Sequence, residues 1–288
     1  MENIDNDVLI LENQISFDFD EIELEEKEES LVLNETALKL QNFEWVKDDV
    51  LFVVVKAYND EVFDNLPTLN LCGKQMIDWV LLAGYGCQQV VIDDCEDILA
   101  KVKSIRTDKK IIAIFYSDTP LLDKSSFYKI MDQFVCKSRN FLALKRGYIV
   151  RTDFLRNNST FMQGNVFDIE NEALTICDSS KALSEIYKSL NNKILSFHIK
   201  NGVTMFGMNT IFIDADVEID SKVIIYPNNI IKGESIISSG TILESGNYID
   251  NSIISNDCVI LGAHIENSKI SAGKKITAGS LIQNQEII

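Results

Sequence analysis

The spacing of apolar residues changes twice along this chain, at Val50 and again after Gly202. Between those points, runs of consecutive apolar residues alternate with segments of helical period. "VLFVVV" and "QQVVID" read as buried strands, and "KQMIDWVLLAGYG" between them sets Met76, Ile77, Val80 and Leu81 on one helical face before ending in glycines. "KKIIAIFY" is a third strand. The order strand, helix, strand, helix predicts a parallel sheet with crossover helices, an open α/β layer whose ligand crevice lies at the carboxyl ends of its strands. "FLALKRGYIVRTDFLRNN" continues the layer with less regular patterning. "SSKALSEIYKSLNNKILSFHIKNG" predicts a long connecting helix with Ala182, Ile186 and Leu190 on one side.

Beyond Gly202 the period becomes six. Ile213, Ile219, Ile225, Ile231, Ile237, Leu243 and Ile249 follow one another at six-residue steps without a miss. The positions two before them include Val217, Val223, Ser235 and Thr241, which are small or β-branched, while Asp, Asn, Gly and Ser fill the turns. Such hexapeptide repeats predict a triangular parallel β-helix in which each short strand forms one face and stacked coils share an apolar interior. An ordinary meander would alternate by two and need hairpin turns. After Asn251 the apolar spacing persists in a slipped register, and roughly four coils fit before the last residue.

Composition adds limits. With 288 residues, 46% of them hydrophobic, the chain can fill one large domain or two ordinary ones. The net charge of −17 argues against nucleic acid as a partner, since phosphate binding calls for concentrated Lys and Arg. No apolar run approaches the roughly 18 residues of a membrane span, and the acidic start is unlike an export signal, so a cytoplasmic protein is expected. Acid concentrates in residues 1–45, around "DFDEIELEEKEES", which predicts a weakly ordered arm, either solvated or used for docking. The six cysteines form no Cys-x-x-Cys pair, and only His198 and His264 could join them as soft ligands. Buried free thiols are expected rather than a zinc site.

"IFYSDTPLL" holds the candidate chemistry. A buried strand ends there on a carboxylate, Asp118, at the edge where the crevice is expected. Two readings stay open: Asp118 holds a metal beside a phosphate, or it caps the helix that begins in "LLDKSSFYKIMDQF".

With an α/β domain, a long helix and hexapeptide coils in sequence, the chain resembles the bifunctional UDP-N-acetylglucosamine pyrophosphorylase/glucosamine-1-phosphate acetyltransferase family. "NGVTMFGMNTIFIDADVEIDSKVIIYPNNIIKGESIISSGTILESGNYIDNSII" is similar to the end of that family's linker helix and its first coils. "LPTLNLCGKQMIDWVL" is similar to the segment after its nucleotide loop, and "YSDTPLL" to its Gly-Asp-Thr-Pro-Leu-Leu strand end. The resemblance runs over about residues 50–270. It implies a Rossmann-like nucleotidyltransferase sheet domain followed by a short left-handed parallel β-helix, divided as arm 1–45, α/β domain 46–182, linker helix 183–202 and coils 203–288. It also implies that Asp118 corresponds to the family's magnesium-binding aspartate, with Asp178 as a second metal ligand, and that the coils pack into a homotrimer.

The chain departs from the family pattern where phosphate would bind. In-line attack of a sugar 1-phosphate on a nucleoside triphosphate brings two anions together, so magnesium and basic side chains must offset the developing charge. The family's loop reads Leu-Ala-Ala-Gly-x-Gly-Thr-Arg-Met, then Leu-Pro-Lys. Here Ala57 and Asn59 stand at the glycines, Glu61 at the arginine and Thr68 at the lysine. Added side chains hinder close backbone approach to phosphate, and a carboxylate in place of a cation reverses a Coulomb contribution of several kcal/mol. The uracil-binding Gln-Gln segment has no room between "QQVVID" and "IFYSDTP", and Gln88-Gln89 stands in the wrong place to replace it.

Lys56 and Lys74 are the cations near the loop, with Lys74 the candidate phosphate contact, and Arg146, Arg151 or Lys145 could compensate from elsewhere in space. The family's acetyltransferase site lies in later coils, so that activity is not expected and His264 reads as a coil-surface residue. The expectation is therefore a shortened, degenerate relative with weakened or lost catalysis and a binding or scaffold role, with an intact family enzyme as partner. The rival readings are an active magnesium-dependent uridylyltransferase using UTP and yielding a nucleotide sugar, and a purely structural oligomer.

Overall fold

The computed structural model describes residues 45–58, 63, 65–158 and 172–288. The acidic arm expected at 1–45 lies, apart from Trp45, outside the described residues, as do Asn59 and Glu61. The chain divides into two compact units, one made of Met1–Leu69 and Gln75–Ile186, the other of Asn70–Lys74 and Tyr187–Ile288.

The first unit is built on a five-stranded sheet. Its strands are β1 (Val50–Lys56), β4 (Gln88–Asp93), β5 (Ile111–Tyr116), β6 (Phe141–Leu144) and β7 (Gly147–Arg151), while the two-residue strands β2 (Asn70–Leu71) and β3 (Lys74–Gln75) pair with each other and lie, up to Lys74, in the second unit. The order is β4-β1-β5-β7-β6. β1 runs parallel to both β4 and β5, as its unbroken apolar run predicts for a strand covered on both faces. Val50, Phe52 and Val54 pack toward the helices Met76–Ala83 and Lys124–Cys136, while Leu51, Val53 and Val55 pack toward Ile98–Ser104 and Thr152–Asn157. Each such side chain contributes roughly 1.5–3 kcal/mol of transfer free energy.

The sheet is mixed, not wholly parallel. "FLALKRGYIV" folds as the β6–β7 hairpin, with Leu144 opposite Gly147 and a two-residue turn, Lys145-Arg146, between them; β7 then pairs antiparallel with β5. Half-buried alternation at Phe141–Leu144 is the physical reason, since a strand at the sheet edge needs cover on one face only.

Local caps follow the sequence. Asp97 accepts from the Ala100 N–H, and Gln75 with Asp78 forms a reciprocal capping box. The helix Lys124–Cys136 is capped by Asp123, whose side chain accepts from the Ser126 N–H at 2.9 Å. The capping reading of Asp118 is thereby corrected: the carboxylate adjoining the first helical residue takes the role.

The second unit takes in the helix Ser180–Lys200 from Tyr187 onward, which leads into three parallel five-stranded sheets of very short strands, the three faces of a left-handed β-helix. All seven residues of the six-step series are buried. Five coils form instead of the expected four, because the corners shorten. Ile219 pairs with Ile237, eighteen positions on, whereas Ile254 pairs with Ile270, sixteen on. Losing corner residues keeps the inward positions stacked while shifting the sequence register, which accounts for the slip after Asn251.

Two asparagines inside the coils carry hydrogen bonds that the apolar period does not reveal. Asn229 and Asn247 sit in the series two before the isoleucines, and both are buried. Asn247 Nδ2 donates to Asn229 Oδ1 at 2.8 Å, to Glu244 O at 2.6 Å and to Ile260 O at 3.1 Å, while its Oδ1 accepts from the Ala263 N–H at 3.0 Å. Midway along the helix Ser180–Lys200, Asn191 acts as a surrogate strand residue. Its Nδ2 donates to Ile211 O at 2.9 Å and its Oδ1 accepts from the Ile213 N–H at 3.3 Å.

All six cysteines are free. Cys72, Cys177 and Cys258 are buried as expected, but Cys95 and Cys136 are exposed and Cys87 is intermediate. Among the described residues no helix is long and apolar enough to cross a membrane.

His198, near the end of the helix Ser180–Lys200, is 2% exposed, and burial lowers its pKa from 6.5 to about 4. The native state therefore resists a proton that the unfolded chain accepts, so stability is lost as pH falls below 6.5. Between pH 7 and pH 5 the loss should be about 2 kcal/mol. His198→Gln should flatten that part of the urea-midpoint profile relative to wild type; equal slopes for the two proteins would refute the assignment.

Candidate functional site

β1 and β5 are adjacent and parallel, so their carboxyl ends open at the same edge of the sheet. Just beyond them the chain makes a tight, buried turn. The Ala57 N–H donates to the Ser117 hydroxyl oxygen at 2.9 Å, and Thr119 Oγ1 donates to Tyr116 O at 2.8 Å. Asp118 lies within this turn at 4% exposure.

Arg146 reaches Asp118 from the hairpin turn. Because Tyr148 pairs with Ile114 in antiparallel register, the residue two earlier comes abreast of the far end of β5. Arg146 Nε donates to Asp118 Oδ1 and Oδ2 at 3.1 and 3.0 Å, and Nη2 donates to Oδ2 at 2.7 Å. The guanidinium carbon lies 3.9 Å from the centroid of the Tyr116 ring. Burial raises the pKa of the Asp118 carboxyl, while hydrogen bonds and charge from Arg146 work against that rise. The Tyr116 hydroxyl is pushed up to about 12, chiefly by burial.

The segment carrying Asp178 runs beside this turn, as the Cys177 N–H donates to Asp118 O at 2.8 Å. Asp178 and Asp118 both act through their charge on the Cys177 thiol, which burial pushes up to about 11. Two of the sequence-derived site residues are thus on neighbouring strands of chain. Lys74 belongs to the second unit, where its Nζ lies 2.5 Å from Asp216 Oδ1. Lys56 pairs with Asp93 at 3.3 Å, with both side chains 40% exposed. Thr68 Oγ1 donates to Asn65 O within a short 3-10 turn. His264 is partly exposed on the coil surface, with Nε2 2.6 Å from Glu266 Oε1.

A curated relative, the Bifunctional protein GlmU of Lactococcus lactis subsp. cremoris (strain MG1363), is 35% identical over 199 residues. The match covers 67% of this chain and 41% of that protein. This chain is homologous to GlmU over part of its length. It spans about two fifths of the GlmU chain that it matches. No protein-family model matches the sequence.

A magnesium ion held as in the implied GlmU-type site would need Asp118 oxygens turned toward it and further oxygen ligands beside them. Both Asp118 oxygens instead accept from Arg146, so neither is turned toward an ion. As arranged, these donors suit an ion pair and not a magnesium ion. Arg146 is the site residue that the sequence singled out only as a distant compensator. Its signal was the short "KRG" break between two alternating apolar runs, which marks a tight hairpin.

Proposed function

We propose that this chain is a sugar-nucleotidyltransferase-like protein in which uridylyl transfer is weakened or lost and a binding or scaffold role remains. In this reading it assembles as a homotrimer through its coils and pairs with an intact enzyme of cell-wall precursor synthesis, with UTP or a nucleotide sugar as the ligand class. The observation that carries the reading is the ion pair that Lys74 makes. The one cation that the resemblance offered for phosphate is committed to Asp216, in a chain whose loop already has Glu61 and Thr68 where the family has arginine and lysine. An unmatched triphosphate beside a carboxylate costs about 4 kcal/mol per close charge pair at an effective dielectric near 20.

The coil surface supports self-association. Phe212, Ile230, Tyr248, His264 and Leu281 stack in register along one face, and Phe212, Ile230 and Leu281 are 37%, 37% and 64% exposed. An aligned apolar ladder of this kind is what a second copy would cover.

The test pairs two measurements on the whole protein. Incubation with UTP, N-acetylglucosamine 1-phosphate and magnesium should give no product above background, while sedimentation should report the mass of three chains. Magnesium-dependent turnover that disappears in Asp118→Asn would establish the active-enzyme reading, with Asp118 and Asp178 as metal ligands and Lys74 at the phosphate. A monomer would remove the scaffold.

A further inference from the structure

We propose that Arg146 is a built-in cation that occupies the position a divalent ion would otherwise take on Asp118, so that this crevice works without metal. Three features converge on it. The guanidinium makes a two-pronged contact with the carboxylate, at 2.7 Å for Nη2 to Oδ2 and 3.1 Å for Nε to Oδ1, using a fork that fits both oxygens at once. Its approach is fixed by the backbone: the Lys145-Arg146 turn is clamped between the Leu144–Gly147 and Ile114–Tyr148 pairs, and the guanidinium carbon lies 3.9 Å from the Tyr116 ring centroid. The carboxylate is buried, and a buried charge persists only with a partner of opposite sign.

The surroundings show what the pair replaces. Asp94 acts on Asp118 through its charge, and Asp178 is next to Cys177, which bonds to the Asp118 backbone. Removing Arg146 would leave an acidic turn with an uncompensated carboxylate at its centre. A small divalent cation is the chemistry that such a turn would accept.

The experiment counts bound Mn²⁺ by electron paramagnetic resonance on the full chain. Wild type should bind no ion at Asp118 up to about 1 mM. Arg146→Met should have a lower thermal midpoint, regain much of it in millimolar Mn²⁺ or Mg²⁺, and bind one Mn²⁺ per chain at least tenfold more tightly than wild type. Arg146→Met combined with Asp118→Asn should lose both the ion and the rescue. If Arg146→Met does not fold alone, refolding in Mn²⁺ supplies the same readout. The proposal is overturned if wild type binds Mn²⁺ and Asp118→Asn abolishes that binding, if Arg146→Met binds no more than wild type, or if it cannot be recovered even with the ion. The inference concerns the same crevice as the proposed function but stands on the ion pair alone. A wild type with no turnover that still binds Mn²⁺ through Asp118 would overturn the inference and leave the functional reading intact.

Discussion

Gly147→Ala will destabilise the sheet unit by about 4 kcal/mol or more. Gly147 has φ +131°, in a region that side-chain-bearing residues rarely adopt, and a Cβ there would lie 2.3 Å from the Ile114 carbonyl oxygen. Ile114 cannot move aside, because β5 is hydrogen-bonded to β1 on one edge and β7 on the other. The backbone strain and the clash together should cost about 4 kcal/mol or more. Against a typical total of roughly 5–15 kcal/mol, that removes from about a quarter to most of the stability of the unit. The measurement is urea unfolding followed by near-ultraviolet circular dichroism, which reads the Phe and Tyr packing around β5. A midpoint within 1 kcal/mol of wild type would show that the hairpin is less tightly fixed than this geometry requires. The same variant should also dislodge Arg146 from Asp118, since the turn that aims the guanidinium closes on Gly147.

Asn247→Ala is the second large effect, and it falls on the coils. The side chain satisfies two carbonyl oxygens, one neighbouring side-chain oxygen and one backbone N–H, all inside the prism. Truncation removes the partner of each and leaves a void too small and too enclosed to be repacked cheaply. With about 1–3 kcal/mol for a stranded buried polar group and a cavity contribution besides, the expected loss is roughly 3–5 kcal/mol. Asn256→Ala is the control, because its amide makes one exposed contact at 3.4 Å, and it should shift stability by less than 1 kcal/mol. Thermal unfolding of the two variants side by side makes the comparison. Similar midpoints would mean that the buried asparagines fill space without bonding.

The parallel core of the sheet and the coil architecture were legible in the sequence for the same reason. Both are written in side chains whose spacing matches a buried surface, unbroken in "VLFVVV" and six-periodic from Ile213 to Ile249. The number of coils was misjudged because a corner can lose a residue without disturbing the stacked interior, and a fixed period cannot register that. Asp118 was legible as unusual but not as paired. Its partner lies twenty-eight residues on, and only the register of an antiparallel hairpin brings them together. The choice of Asp123 over Asp118 as helix cap depended on which carboxylate adjoins the first helical N–H groups, a difference of five positions across "DTPLLD". The asparagine ladder had a visible trace, since Asn229 and Asn247 are one coil apart in the sequence. A period of eighteen is harder to notice than one of six.

Asn191 gives the coil stack a preset partner at one end. Strands of two or three residues have almost no tendency to form alone, and a stack in which each coil touches only its neighbours must begin somewhere. The helix Ser180–Lys200 can form from local contacts, and once formed it presents an amide whose donor and acceptor are already spaced for Ile211 and Ile213. The first coil therefore has a preset template to condense on. Of the possible starting points, the helix end of the stack is the one with a preset partner, like a zipper with one fixed end.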